Sequence, residues 1–417
     1  MKRKTIVQLL SLLLLVAMIV ALDVVRQGRF QSEKNEIVVR FLYTSEKKGW
    51  IDAVAPEFPE WFENRNPGMK VRLVFEVQGT RSSMISILSG ESKPVLWSPA
   101  SSVFVPLFEW AWENKFHNII FNESEVYSLV ASPIIFGTWK SFIEKHNFTS
   151  WADLYRLADE EMRFAHTSAQ ESNSGFMSVL LEASIAANKT PSEITLEDLQ
   201  DPKVQEWMKH VESSAVFYGT STGFLAKQAV QMGPAGLNVI VVYENLIIET
   251  AKTGEAEAKW NDTLLAVYPK EGTLWSDHPV VLFSNASWVS EKEVYAAKEF
   301  VNFLLSRKIQ LQAIPFGFRP GNETLKNDPE VLNELKEVFK PELGVQLNLT
   351  IPKFTPPTDG EVLDRLPDLW LKTRATSLEA EQNEYYQVGS RSAYLSAIPA
   401  FVLLVLLIKK RRRINNA

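Results

Sequence analysis

Three short stretches concentrate groups able to hold a small molecule without formal charge. They are Gly79-Thr80-Arg81-Ser82-Ser83, Ser98-Pro99-Ala100-Ser101-Ser102 and Ser172-Asn173-Ser174-Gly175. Each follows an apolar piece and precedes a run that reads as helix. Ser and Asn at a helix start accept first-turn N–H groups as caps. A helix start rich in Ser and Gly can instead aim those N–H groups, and the positive end of the dipole, at an anion or polar ligand. Residue types alone leave both readings open. A fourth stretch, Phe217-Tyr218-Gly219-Thr220-Ser221-Thr222, repeats the chemistry.

Other chemistry is thin. The chain has no cysteine, which excludes disulfides, thiolate metal ligands, a cysteine nucleophile and a lipid-modified N-terminal cysteine. The five histidines, His117, His146, His166, His210 and His278, show no metal-binding spacing. His166 stands near the serines but no G-x-S-x-G elbow accompanies it, so a packing role is expected. Glu244 and Asp277 are expected to be structural or solvated, and Arg319 to clamp structure rather than touch ligand. No catalytic residue, metal ligand or cofactor is expected.

The elements that must position these loops follow an α/β rhythm. Residues 37–43, 69–77 and 94–97 read as strands, the last two ending at the first two loops. Helix is expected over 50–65, with Pro56 and Pro59 against its continuity. Residues 129–139 read as a strand carrying Ser132-Pro133. A second set follows, with helices over 150–157, 174–187 and 196–211. Residues 237–243 form a nearly continuous apolar run, hence a strand buried on both faces, delivering Tyr243 at its end. Strand is expected over 263–268 and 280–283, and helix over 291–305. Residues 352–368 read as surface loop and 373–387 as a polar, helical stalk. Repeating strand, loop and helix implies a parallel sheet, with ligands at the carboxyl ends of its strands.

At 417 residues two lobes are expected. Lys2, Arg3 and Lys4 precede an apolar run over 6–22, either a signal peptide or a signal anchor within residues 1–25. Residues 393–408 are largely apolar and expected to span a membrane, with the basic tail 409–417 after them. The positive-inside rule places both basic clusters in the cytoplasm and residues 26–390 outside. The ends hold nine of the 44 basic residues and one of the 50 acids, leaving 35 against 49 outside, a net charge of −14. That balance does not favour nucleic acid. Seven N-x-Ser/Thr sequons, at Asn122, Asn147, Asn188, Asn261, Asn285, Asn322 and Asn348, suit an exported, glycosylated surface. Sequons without cysteine suit an archaeal exterior.

In order along residues 37–325, "KPVLWSPASS", "HTSAQESNSG", "GPAGLNVIVVYEN", "AVYPKEGT", "DHPVVLF" and "GFRPGN" resemble extracellular solute-binding proteins of the type II periplasmic class, near the molybdate and sulfate binders. The resemblance implies an α/β, two-lobed fold, to which the apolar runs at the two ends add N- and C-terminal hydrophobic helices. Lobe I would comprise 37–133 and 265–350, lobe II 134–264, with loop and stalk over 351–392. Crossing strands are expected near 131–136 and 264–268. It also implies capture of a small polar or anionic ligand between lobes that close by a hinge, and delivery to an ABC permease. The ligand-binding residues it implies are Gly79, Thr80, Ser82, Ser98, Ser132, Ser172, Asn173, Ser174, Gly175 and Tyr243. Arg81 and Trp97 depart from a small oxyanion pocket. Sugars are an alternative, with Trp97, Trp139 or Tyr243 as a flat apolar face. A surface sensing protein without transport is another.

Overall fold

The computed structural model describes residues 36–375. The terminal segments expected to meet a membrane lie outside the described residues. Among those described, no helix is long and apolar enough to cross one.

The first sheet has the order β2-β1-β3-β11-β4. It is built from β1 (Glu36–Tyr43), β2 (Lys70–Val77), β3 (Leu96–Ser98), β4 (Val126–Ser128) and β11 (Pro279–Leu282). β1 runs parallel to both β2 and β3, with Tyr43 opposite Val77 on one side and Ser98 on the other. Three strands therefore end at one edge, where loops 79–83 and 98–102 begin. β11 closes the sheet antiparallel to β3 and β4.

The second sheet has the order β10-β5-β8-β6-β7. It comprises β5 (Val130–Trp139), β6 (Phe164–Thr167), β7 (Ala215–Gly219), β8 (Val239–Tyr243) and β10 (Trp275–Ser276), with β9 (Leu264–Val267) and β12 (Arg319–Pro320) also paired to β5. β6 is parallel to β7 and β8. β8 is buried along its whole length, as its unbroken Val/Ile run requires. β5 spans ten residues, about 33 Å of extended chain, and links the two sheets. The second crossing runs beside it at β10, where Trp275 and Ser276 face Pro133 and Ser132. It lies later than residues 264–268, of which Leu264–Val267 pair instead with the far end of β5.

Two other expectations change. The helix over 50–65 is two, Lys48–Val54 and Phe58–Arg65, separated by a 3₁₀ turn at Ala55–Glu57; Pro56 lacks the N–H that would continue the first ladder. The stretch read as loop contains the helix Gly360–Thr373, capped by Asp359, whose carboxylate accepts from the N–H groups of Glu361 and Val362. Val362, Leu363, Leu366, Leu369 and Trp370 bury one face, an i, i+3/i+4 stripe obscured by Pro367. This helix packs on Phe104–Phe116 from the first half and on Asn173–Ala186 and Pro202–Glu212 from the second. It straps the halves together, beside the Phe104–Phe176 ring contact at 4.7 Å.

Candidate functional site

A cavity of about 280 Å³ lies between the two halves. Gln78, Gly79, Thr80 and Ser82 form one wall; Glu171, Ser172, Asn173, Thr220 and Ser221 form the other; Ser45 and Glu46 lie between. Through Ser45, Glu46 and Ser221 it continues into a larger crevice of about 780 Å³, which also holds Phe224, Lys227, Lys252 and Phe316. The walls come close: a Cβ at Gly79 would sit 3.2 Å from the Glu171 carbonyl oxygen.

Two helix starts meet here, Thr80–Ser89 and Asn173–Ala186, and neither first turn is capped by the residue before it, Gly79 or Ser172. The Ser172 hydroxyl instead lies 3.4 Å from the Thr222 hydroxyl. In the second start the Gly175 N–H is taken by Thr167 Oγ1; first-turn N–H groups that no side chain caps can serve a ligand. Asn173 is 2% exposed. Its amide donates to the Tyr243 hydroxyl at 2.9 Å, while its carbonyl oxygen is buried with no partner. The Glu46 Oε2 atom is likewise buried and unpartnered. An unmade bond at a buried polar atom costs about 1–3 kcal/mol, so both atoms favour a guest that donates.

Of the residues singled out from sequence, Gly79, Thr80, Ser82, Ser172 and Asn173 line this one cavity. The others lie behind its walls. Thr80 ties the first two loops together, its hydroxyl accepting from Ala100 N at 3.1 Å. Ser98 is buried, its hydroxyl unpartnered and its carbonyl accepting from Lys47 Nζ. Ser174 is bonded to the Thr167 and Thr222 hydroxyls, each at 2.8 Å. Gly175 donates to Thr167 Oγ1 at 2.7 Å, and a Cβ there would lie 1.8 Å from the Thr167 carbonyl oxygen; that position needs glycine for close approach. The Ser132 hydroxyl accepts from Asn245 N at 3.0 Å, capping the helix Glu244–Thr253 beside the crossing. Tyr243 is fully buried, and burial, then Glu46, push its hydroxyl's pKa up.

Trp97 and Trp139 are also fully buried. Their indoles donate to Ser83 Oγ and to the Leu237 carbonyl, so neither presents a face to the cavity. Arg81 turns toward Asp364, 4.0 Å away on the strap helix, and does not line the cavity. Sequence reasoning passed over Ser45, Glu46, Gln78 and Glu171. The signal for Glu46 was its place three residues beyond the end of β1, at the sheet edge that carries the other loops.

Beneath the floor, Lys47 is wholly buried between Thr44 Oγ1 at 2.8 Å, the carbonyls of Ser98 and Pro99 at 3.2 and 3.3 Å, and His278 Nδ1 at 3.2 Å. Burial pushes its pKa down to about 7, opposed by Glu46 and Asp277. Burial, then Lys47, hold His278 well below its usual range, so the neutral imidazole accepts from the ammonium. His278 has φ 40°, a strained left-handed backbone held by the crossing. Asp277 accepts from Ser102 N at 2.7 Å, in the turn before the helix Phe104–Phe116. Glu244, at the end of β8, is paired with Arg319. The clamp expected of Arg319 is present; Glu244 and Asp277 serve separate bonds.

The family described as bacterial extracellular solute-binding protein matches residues 111–338, more than half of the chain. No curated protein matches. Solved structures share the architecture at low identity. An ABC transporter protein from Clostridium perfringens aligns over 81% of this chain and 100% of its own, at 14% identity and TM-score 0.52. A periplasmic thiamin binding protein aligns over 81% and 96%, at 13% and 0.53. A ferric binding protein from Campylobacter jejuni aligns over 80% and 98%, at 17% and 0.53. At such identities the likeness concerns the fold alone. The family match covers β5, the second sheet and the return through β11, and on it the chain belongs to the bacterial extracellular solute-binding proteins.

Proposed function

We propose that this protein captures a small polar solute in the crevice between its two lobes and hands it to an ABC permease, while the terminal apolar segments tether it to the membrane. The observation that carries the reading is the convergence on one cavity of two helix starts that Gly79 and Ser172 leave without a side-chain cap, together with Asn173, whose carbonyl oxygen has no partner. The charge of that cavity selects among ligands. Glu46 and Glu171 line it and no Lys or Arg does. An oxyanion would meet two carboxylates with only neutral donors to hold it, so a neutral hydroxylated or cationic solute fits better. The structural neighbours include proteins whose names refer to thiamin and to ferric iron. Six of the seven sequon asparagines are exposed and Asn322 is half-buried, which supports the expected glycosylated exterior.

Calorimetric titration with oxyanions, sugars and small organic cations tests this. Heat from a neutral or cationic ligand, weakened roughly tenfold or more by Asn173→Ala, is the expected result. Binding unaffected by both Asn173→Ala and Ser82→Ala would remove the site from this cavity. Glu46→Gln separates the charge classes: it weakens a cation and spares a neutral solute. A sensing role without transport is the second reading, favoured by the strap helix Gly360–Thr373, which packs on both halves.

A further inference from the structure

We infer that His166, Glu182 and Glu212 form a buried structural site for one divalent first-row transition metal, separate from the crevice. The three come from β6, the helix Asn173–Ala186 and the end of the helix Pro202–Glu212. Each is 0% exposed. One donor atom from each can be chosen so that all lie within 4.8 Å of one another. Metal–ligand bonds of about 2.1 Å put tetrahedral ligand atoms about 3.4 Å apart; His166 Nε2 and Glu212 Oε1 are already 2.9 Å apart, so rotation of the Glu182 side chain toward them completes the set.

Two features point to a cation rather than to chance crowding. First, both carboxylate oxygens of Glu182 are buried and have no hydrogen-bond partner. The helix that carries Glu182 is buried through most of its length, so the carboxylate cannot reach water, and it faces a second acid, Glu212. Burial and then Glu212 accordingly raise its pKa. Second, the outer bonds are those that orient metal ligands. His166 Nδ1 lies 2.7 Å from the Thr167 carbonyl oxygen; a carbonyl only accepts, so Nδ1 carries the proton. Nε2 is thereby left facing Glu212 Oε1 at 2.9 Å. The other Glu212 oxygen accepts from the Tyr218 hydroxyl at 2.5 Å, and that hydroxyl accepts from Ala375 N at 3.0 Å. A backbone carbonyl behind the imidazole and a hydroxyl behind the carboxylate fix tautomer and orientation.

A neutral imidazole and two carboxylates balance a dipositive ion. One nitrogen and two carboxylates suit zinc or manganese. Trp370 covers the cluster, its ring 6.2 Å from that of His166, so the ion would enter as the chain folds and would join β6 to two helices.

The test uses the full chain, purified without chelators and assayed for metals by mass spectrometry. It is then unfolded with EDTA and refolded with zinc, with manganese or with neither. About one equivalent per chain and a thermal midpoint raised by about 5 °C or more are expected with one of the ions. Glu182→Gln, nearly the same shape, should fold, as read by circular dichroism, and lose the metal and the metal-dependent shift. Wild-type protein with less than about a tenth of an equivalent after both expression and refolding overturns the inference. So does a Glu182→Gln variant that holds as much metal as wild type. Should refolding fail, the metal content of the two proteins as expressed decides between them.

Discussion

The pair between Arg319 and Glu244 offers the sharpest test of what joins the two halves. Glu244 has a fully buried side chain and Arg319 is 13% exposed. The guanidinium donates through Nε to Oε2 at 2.9 Å and through Nη2 to Oε1 at 2.7 Å. It also donates to the Leu347 and Gln346 carbonyls, at 2.8 and 2.5 Å, while Tyr268 donates its hydroxyl to Glu244. One side chain thus binds the start of the helix Glu244–Thr253, the strand β12 beside β5, and the loop near residue 346. Arg319→Met leaves the Glu244 carboxylate buried with Tyr268 as its remaining donor. Removing one partner of a buried pair costs about 3–5 kcal/mol, because the surviving charge stays out of water. Glu244→Gln is milder, about 1–3 kcal/mol, since Arg319 keeps two carbonyls. The double variant no longer strands a charge, so its loss should fall short of the sum by about 2 kcal/mol. Thermal and urea unfolding of the four proteins gives the cycle. At roughly 2 °C per kcal/mol for a chain of this size, Arg319→Met lowers the midpoint by about 6–10 °C. A loss below about 1 kcal/mol for Arg319→Met, or additivity within about 0.5 kcal/mol, would refute the reasoning.

Three further outcomes follow from buried groups. Lys47 has a folded pKa of about 7 against an ordinary 10.5, so between those values the unfolded chain holds the extra proton. Stability therefore rises with pH across that window, by up to about 4 kcal/mol from pH 7 to 10; Lys47→Met should remove that contribution to the slope, and equal slopes in denaturant titrations of the two proteins would exclude the lowered pKa of Lys47. Gly175→Ala would place a methyl 1.8 Å from the Thr167 carbonyl oxygen, with backbone on both sides of the contact. A loss of about 3 kcal/mol or more is expected, and a midpoint within about 2 °C of wild type would contradict it. Trp370→Ala should cost about 3–5 kcal/mol. It should also make the chain near residues 360–375 the first site of limited proteolysis; an unchanged cleavage pattern would mean the strap is not held by this ring.

Much of the architecture was readable because it rests on local pattern. The Val/Ile run of β8 could only be a strand buried on both faces, and hydroxyl loops after β2 and β3 marked the edge where a ligand would sit. The helix Gly360–Thr373 escaped because Pro352, Pro356, Pro357 and Pro367 read as breakers. Only contact with helices from both halves reveals what its apolar stripe is for. The metal-like cluster escaped for a related reason. His166, Glu182 and Glu212 stand 16 and 30 residues apart, and no spacing rule covers three elements that meet only through packing.

The site itself shows where pattern and geometry part. Residue type treats Ser172, Asn173, Ser174 and Gly175 alike, yet the helix start divides them. Ser172 and Asn173 line the cavity, while Ser174 and Gly175 are spent on Thr167 and Thr222 behind it. Charge was less legible still. Arg81 sits inside the first loop in sequence and was the one cation that could have served an anion there; folding turns it to Asp364. Glu46, unremarkable in sequence, arrives with an oxygen that nothing satisfies. The loops that promised neutral donors for an oxyanion therefore line a cavity whose charged residues, Glu46 and Glu171, are both acidic. A guest that carries its own donors, such as a polyol or an ammonium, answers both orphaned oxygens, and an oxyanion answers neither.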